Sequence, residues 1–226
     1  MYQRKIRSYI LRAGRMSKGQ KEARLKLAHK YLIDFRGDKP VSFASIFGNK
    51  NPTVLEIGFG MGDTTFEIAR NNTDTNYVGI EVHPPGVGRL LNLCEAEAIT
   101  NVRVIERDAT EVIPKMFDRG SLAGVHIFFP DPWPKKRHHK RRLINKEFVD
   151  VIATTLQEGG YLHVATDWED YATETLDILE QNPILQNISE AFTVRPDYRP
   201  VTKFERRGIN LGHNVFDIIF RKISSI

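Results

Sequence analysis

A carboxylate and an indole stand among three prolines in Pro130-Asp131-Pro132-Trp133-Pro134, directly after the apolar run Val125-His126-Ile127-Phe128-Phe129. The run reads as a buried strand, and the prolines restrict the backbone that leaves it. Asp131 and Trp133 are therefore delivered at a strand end. A carboxylate there can accept N–H protons of a base or offset charge arriving on a ring. The indole can stack on a base, a contact of about 1–3 kcal/mol, or staple the loop to the core. Next comes Lys135-Lys136-Arg137-His138-His139-Lys140-Arg141-Arg142, six Lys or Arg in eight residues. Lys135 is the base nearest the pocket and could touch substrate. Arg137, His138, His139, Lys140, Arg141 and Arg142 suit phosphates. Each phosphate contact would add roughly −0.7 to −0.9 to the slope of log affinity against log salt. A reactive pocket joined to a polyanion surface points to an enzyme that acts on nucleic acid.

A second constellation lies upstream in Glu56-Ile57-Gly58-Phe59-Gly60-Met61-Gly62-Asp63. Glycines at alternate positions permit a sharp turn and close backbone approach to a ligand. Glu81 ends the next strand and could accept both ribose hydroxyls of a nucleoside. Asp108 follows the third strand, within reach of an adenine edge, or in an exposed turn. Ligands of open α/β sheets bind at the carboxyl ends of the strands, so these groups meet in one crevice. A glycine loop alone also fits a plain turn or a dinucleotide site. Here the spacing is G-x-G-x-G, not G-x-G-x-x-G, and a second acid follows. Asp167, in Thr166-Asp167-Trp168, either faces the same crevice or caps the following helix. His83, before Pro84-Pro85, reads as structural.

The elements that must position these groups alternate. Strands are expected at residues 54–57, 77–82, 102–105, 125–129, 161–166 and 215–220. Helices are expected at 63–70, 88–98, 109–117, 148–156 and 168–180. Alternation of this kind implies an α/β protein with a mostly parallel sheet covered on both faces. Residues 21–35 have helical composition, with Ala23, Leu27 and Tyr31 at spacing four. Residues 1–20 read as a mobile basic arm. The division is a basic arm and helix over 1–35, then one domain over 36–226. Arg199-Pro200-Val201-Thr202-Lys203-Phe204-Glu205 is a polar loop before the last strand; Thr202 and Glu205 have capping-box spacing.

The chain of 226 residues is 41% hydrophobic and carries a net +5. Residues 1–30 hold ten Lys or Arg and one acid, and residues 135–142 hold six and none. What remains has 17 bases against 27 acids. A mildly acidic globule with two concentrated basic segments fits a phosphate-backbone footprint. The apolar runs are too short to span a bilayer, so no membrane is expected. Cys94 is the single cysteine, which rules out a disulfide framework and a Cys-based zinc site and makes a reducing cytoplasm the simplest setting. No metal is expected. Cys94 reads as helix packing.

The glycine loop with Glu81 and Asp108 resembles the S-adenosylmethionine-dependent methyltransferase fold. Asp131-Pro132-Trp133-Pro134 departs recognisably from the polar-Pro-Pro-aromatic motif that nucleic-acid amino methyltransferases carry at that strand end. A ring nitrogen with a free lone pair, such as guanine N7, needs no proton removed. The whole set is similar to the bacterial tRNA (guanine-N7-)-methyltransferases. The matching stretches are Arg12-Ala13-Gly14-Arg15-Met16-Ser17-Lys18-Gly19-Gln20, Glu56-Ile57-Gly58-Phe59-Gly60-Met61-Gly62, Gly79-Ile80-Glu81-Val82-His83, the segment from Phe129 through His138, and the Arg199 loop. The resemblance implies a Rossmann-like methyltransferase fold with an antiparallel last strand. It implies methyl transfer from S-adenosylmethionine to N7 of a guanine in the tRNA variable loop, position 46. It implies donor contacts from Glu56, Gly58, Gly60, Glu81, Asp108 and Asp131, with Asp131 catalytic. It implies that Lys135, Asp167, Thr202, Lys203, Phe204 and Glu205 bind the guanosine side. Two other readings stand beside it: a methyltransferase of this fold with another RNA or a protein as substrate, and a non-catalytic RNA-binding module. The intact acid set argues against the latter.

Overall fold

A computed structural model describes residues 6–10, 14–35, 37, 39–202, 205–206, 212 and 214–224. Its centre is a seven-stranded sheet in the order β3-β2-β1-β4-β5-β7-β6. The strands are β1 Thr53–Ile57, β2 Asn76–Glu81, β3 Val102–Glu106, β4 Leu122–Phe128, β5 Leu156–Thr166, β6 Leu185–Asn187 and β7 Phe216–Lys222. The first five run parallel, and β7 is antiparallel to both β5 and β6. This is the α/β sheet expected from the alternating pattern. The helices are α1 Lys18–Lys26, α2 Ala28–Tyr31, α3 Phe43–Phe47, α4 Asp63–Asn71, α5 Pro84–Ala96, α6 Ala109–Met116, α7 Lys146–Thr155 and α8 Glu169–Glu180.

Every residue of β1 and β2 is buried, because helices cover both faces of the sheet. The period of two sends Leu55 and Ile57 into a core with Ile113 and Ile152, from α6 and α7. Val54 faces the opposite core, with Ile68 and Leu91 from α4 and α5. Burial also holds the Cys94 thiol up to about 12, so it stays protonated and serves packing.

Some boundaries differ from expectation. The basic arm is ordered earlier than residue 21: Ser17 and Gln20 form a reciprocal capping box that starts α1 at Lys18. The helix expected over 21–35 breaks at Leu27. From Leu32 the chain is extended and pairs with β3, with Ile33 N–H donating to Val104 O at 2.8 Å. Helix α5 begins at Pro84 because proline suits the first helical turn, where its missing N–H costs nothing. Among the described residues, no helix is long and apolar enough to cross a membrane.

Candidate active site

Strand order reverses between β1 and β4, and a cavity of about 410 Å³ opens there at the carboxyl ends of the strands. That volume falls in the range of small-molecule pockets, roughly 300–1,000 Å³. Gly58 and Gly60 supply one wall, and Glu81, Asp108 and Asp131 lie around it. The sequence-expected groups from four different strand ends are thus brought together.

The glycine loop turns with φ of +73° at Gly58 and +60° at Gly60, a region that side chains disfavour. A close approach fixes a fourth glycine that the motif does not contain. A Cβ on Gly86 would come within 1.8 Å of Gly60 O, so the start of α5 presses directly on the loop. The loop is also held from the rim. Gly60 N–H donates to Glu81 Oε2 at 2.7 Å, while Val82 and His83 N–H donate to Oε1 at 2.6 and 2.9 Å. Burial pushes the Glu81 carboxyl above its ordinary value, against the pull of these three donors.

Glu56 lies under the loop and is not on the cavity wall. Only 3% exposed, it accepts Thr65 Oγ1–H at 2.8 Å. Burial, with a further push from the Glu81 charge, raises it to about 7, although the Thr65 bond opposes this. Asp108 sits on the wall and also caps α6: its Oδ1 accepts the N–H and the hydroxyl of Thr110. His83 reaches the wall too, close to Gly14 of the arm.

Asp131 is exposed on the wall at the end of β4. The residues two before and two after it carry positive φ without being glycine, +52° at Phe129 and +46° at Trp133. Such conformations cost on the order of 1–3 kcal/mol and persist only where their surroundings hold them. Here Phe129 N–H is fixed to Ala165 O at 2.7 Å and Arg142 Nε–H to Pro132 O at 2.9 Å. Trp133 proves to be a staple, 8% exposed, with its N–H on Ser8 O at 3.0 Å.

A six-residue 3-10 helix, Lys136–Arg141, carries the basic run. Arg137 and Lys140 are exposed. His138 stands edge-on to Trp133, and the Arg141 guanidinium lies 4.9 Å from the Trp133 ring centre. His139 sits half-buried near Asp170 and Glu174. Arg142 is buried, unlike the exposed Arg137 and Lys140. Its side chain is 1% exposed, paired with Asp170 Oδ2 at 2.6 Å and with Glu174, over the ring of Tyr171. His139, Asp170 and Glu174 stand close enough together to share a cation, but Arg142 already supplies the positive charge there.

Lys135, just ahead of the 3-10 helix, and Asp167, just after β5, are exposed. Thr166 Oγ1, not Asp167, accepts the Trp168 N–H ahead of α8, which leaves the Asp167 carboxylate free of the capping role. Thr202 and Glu205 form the expected capping box. Glu205 is 3% exposed, with both carboxylate oxygens taken by Arg199 at 2.8 Å. Lys203 and Phe204 lie outside the described residues.

The group that sequence reasoning missed is Arg199. Fully buried, it also grips both oxygens of Asp217 on β7, at 2.7 and 2.8 Å. Burial works against its charge, yet Glu205 and Asp217 outweigh that and hold it more firmly protonated. His163 bridges Asp217 to the Tyr198 hydroxyl, each at 2.7 Å. Asp217 in the middle of an apolar strand was the available signal, since a buried acid requires a partner.

A family model described as a putative methyltransferase matches residues 50–218. The tRNA (guanine-N(7)-)-methyltransferase of Chromobacterium violaceum is 52% identical over 221 residues, 98% of this chain and 97% of that protein. That of Paraburkholderia xenovorans is 51% identical over 222 residues, 98% of this chain and 85% of the relative. Of solved structures, the 16S rRNA methyltransferase KamB superposes with a TM-score of 0.58 at 14% identity, covering 94% of this chain and 97% of its own. An aminoglycoside resistance methyltransferase gives 0.57 at 14%, covering 78% and 90%. Those two speak for the fold, a Rossmann-like methyltransferase architecture. With the sequence identities and the acid-lined cavity, the conclusion is plain: this chain belongs to the tRNA (guanine-N(7)-)-methyltransferase family.

Proposed function

We propose that this methyltransferase forms 7-methylguanosine at position 46 in the variable loop of tRNA, in the cytoplasm. The observation that carries the reading is Asp131, exposed on the cavity wall at the end of β4 and followed within five residues by the exposed cations Lys135 and Lys136. The names borne by relatives about half identical over nearly the whole chain support the same target atom.

Bound S-adenosylmethionine supplies an electrophilic methyl group carried on a sulfonium. Glu81 would accept the ribose hydroxyls with lone pairs left over from its three backbone donors. Asp108, with one oxygen spent on its cap, would offer the other to the adenine edge. The Gly58 and Gly60 backbone allows close approach, and Glu56 supports the cationic end from beneath the loop. Guanine N7 presents a lone pair, so no general base is required. Asp131 would hold the guanine N–H groups or offset the charge that N7 alkylation leaves on the ring. Lys135, Asp167, Thr202, Lys203 and Phe204 would position the guanosine, and Arg137, His138, His139, Lys140 and Arg141 the RNA backbone. Rate then comes mainly from positioning and electrostatics.

The test is transfer of labelled methyl to unmodified tRNA, followed by nucleoside identification and mapping. Label on guanine N7 at position 46 is expected. Label on another atom, or elsewhere in the tRNA, overturns the reading.

A further inference from the structure

The N-terminal arm does more than add positive charge. Ser8, Tyr9 and Ile10 form part of the donor-cavity wall, on the same cavity as Gly60, Glu81 and Asp131. Tyr9 also borders a second opening, with Arg107, Asp108 and Arg141. The short segment therefore runs as a strap between the cavity and the basic helix. Ile6 and Ile10 on it are more than half exposed, so burial of its own side chains holds it weakly. Among the described residues, one side-chain hydrogen bond reaches it from the domain: Trp133 Nε1–H to Ser8 O, at 3.0 Å.

The donor of that bond is unusually well fixed. Trp133 is flanked by prolines, nearly buried, and held at φ +46°. Its ring is met by the edge of His138 at 5.8 Å and by the Arg141 guanidinium at 4.9 Å. Both come from the helix that carries the exposed cations. A backbone carbonyl accepts whatever side chain stands at position 8, so the bond specifies where the strap lies.

We infer that Trp133 is a positioning residue which latches residues 8–10 across the donor cavity and thereby couples donor closure to the RNA-facing helix. This rests on the proposed placement of the donor in that cavity. The latch puts Tyr9 over the Asp108 side of the site, where the adenine end would lie. A ligand in the cavity stabilises the strap, and anything that orders the basic helix orders the latch. By linkage each should then raise the affinity of the other.

The experiment is a double-mutant cycle with Trp133→Phe and Tyr9→Ala. Phenylalanine keeps an aromatic ring in the buried site and removes the N–H, together with the pyrrole part of the indole. S-adenosylmethionine Kd is measured by calorimetry with and without tRNA, alongside the thermal midpoint. Trp133→Phe should weaken the donor by roughly 3- to 10-fold, the size of one neutral hydrogen bond, while the midpoint reports separately the packing lost with the smaller ring. Added to Tyr9→Ala it should cost nothing further, because there is no longer a ring for the latch to deliver. Transfer RNA should tighten donor binding in the wild type, and less so in Trp133→Phe. Independent, additive effects, an unchanged Kd, or equal tRNA enhancement in both proteins overturns the latch. Glu81→Ala separates the two layers. If it leaves donor Kd unchanged, the donor placement has failed. If it weakens the donor while Trp133→Phe does not, the placement stands and the latch has failed.

Discussion

Gly60 donates its backbone N–H to Glu81 Oε2 at 2.7 Å, tying the loop after β1 to the end of β2. With Val82 and His83 on Oε1, one carboxylate shapes two rims of the cavity. Hydrogen bonds to a charged group contribute roughly 1.5–3 kcal/mol each. Glu81→Ala removes the loop restraint together with the ribose acceptor. Calorimetry should show S-adenosylmethionine bound at least about tenfold more weakly, and the melting midpoint should drop. Wild-type affinity would place the ribose somewhere else.

Asp131 gives a different signature, because its side chain is exposed on the cavity wall rather than packed beneath it. Asp131→Ala should lower kcat by about 10²–10³, as removal of a preorganised electrostatic group does, with tRNA Kd nearly unchanged. Turnover at the wild-type rate would remove Asp131 from the reaction. A parallel loss of tRNA affinity would make it a binding group.

The basic run should split into two phenotypes. Neutralising Arg137 and Lys140 removes two exposed cations, so the slope of log affinity against log salt should flatten by about 0.7–0.9 for each phosphate no longer neutralised. The melting midpoint should hold. Arg142→Ala leaves Asp170 and Glu174 without their cation and frees Pro132 O. Loss of about 2 kcal/mol, or a midpoint lower by roughly 4–8 °C, is expected, with the salt slope unchanged. A flattened slope in Arg142→Ala would return that residue to the RNA surface.

Arg199 joins Glu205 on its loop to Asp217 on β7 through a four-bond fork. Lysine keeps the charge but cannot form that fork. Arg199→Lys should therefore lower the melting midpoint by several degrees and raise KM for tRNA, since the loop bearing Thr202 is loosened. Donor Kd should stay at its wild-type value. A changed donor Kd with normal tRNA KM would mean the fork serves the cavity instead.

What the sequence made legible has a common character. β1, β2 and β4 announce themselves through short apolar runs, and Gly60, Glu81 and Asp131 follow at strand ends, where α/β sheets bind ligands. These are local signals. The burial of Arg142 is not legible, because its letter sits in a charge run while its partners are Asp170 and Glu174 of α8, 28 and 32 residues onward. The pairing of Glu205 with Arg199, six residues earlier, is likewise invisible in the letters, which show only a polar loop. β6 is three residues long and has no period to detect. The start of α1 was legible in principle, since Ser17 and Gln20 stand at capping-box spacing, but the surrounding basic residues hid it.

Glu56 offers a prediction in pH. Its folded-state value of about 7 lies above the ordinary 4.5, because burial disfavours the charged carboxylate. Between those values the folded protein holds a proton that the unfolded chain has released, so stability falls as pH rises. The contribution is fully present below 4.5, declines through the window, and is gone above about 7. At about 1.36 kcal/mol per unit, it is on the order of 3 kcal/mol. Glu56→Gln mimics the protonated form and can still accept the Thr65 hydroxyl. Urea unfolding at pH 4.5 should show the variant and the wild type close together. By pH 8 the variant should be the more stable by up to about 3 kcal/mol. A constant difference across that range would mean that Glu56 titrates at its ordinary value in the folded protein.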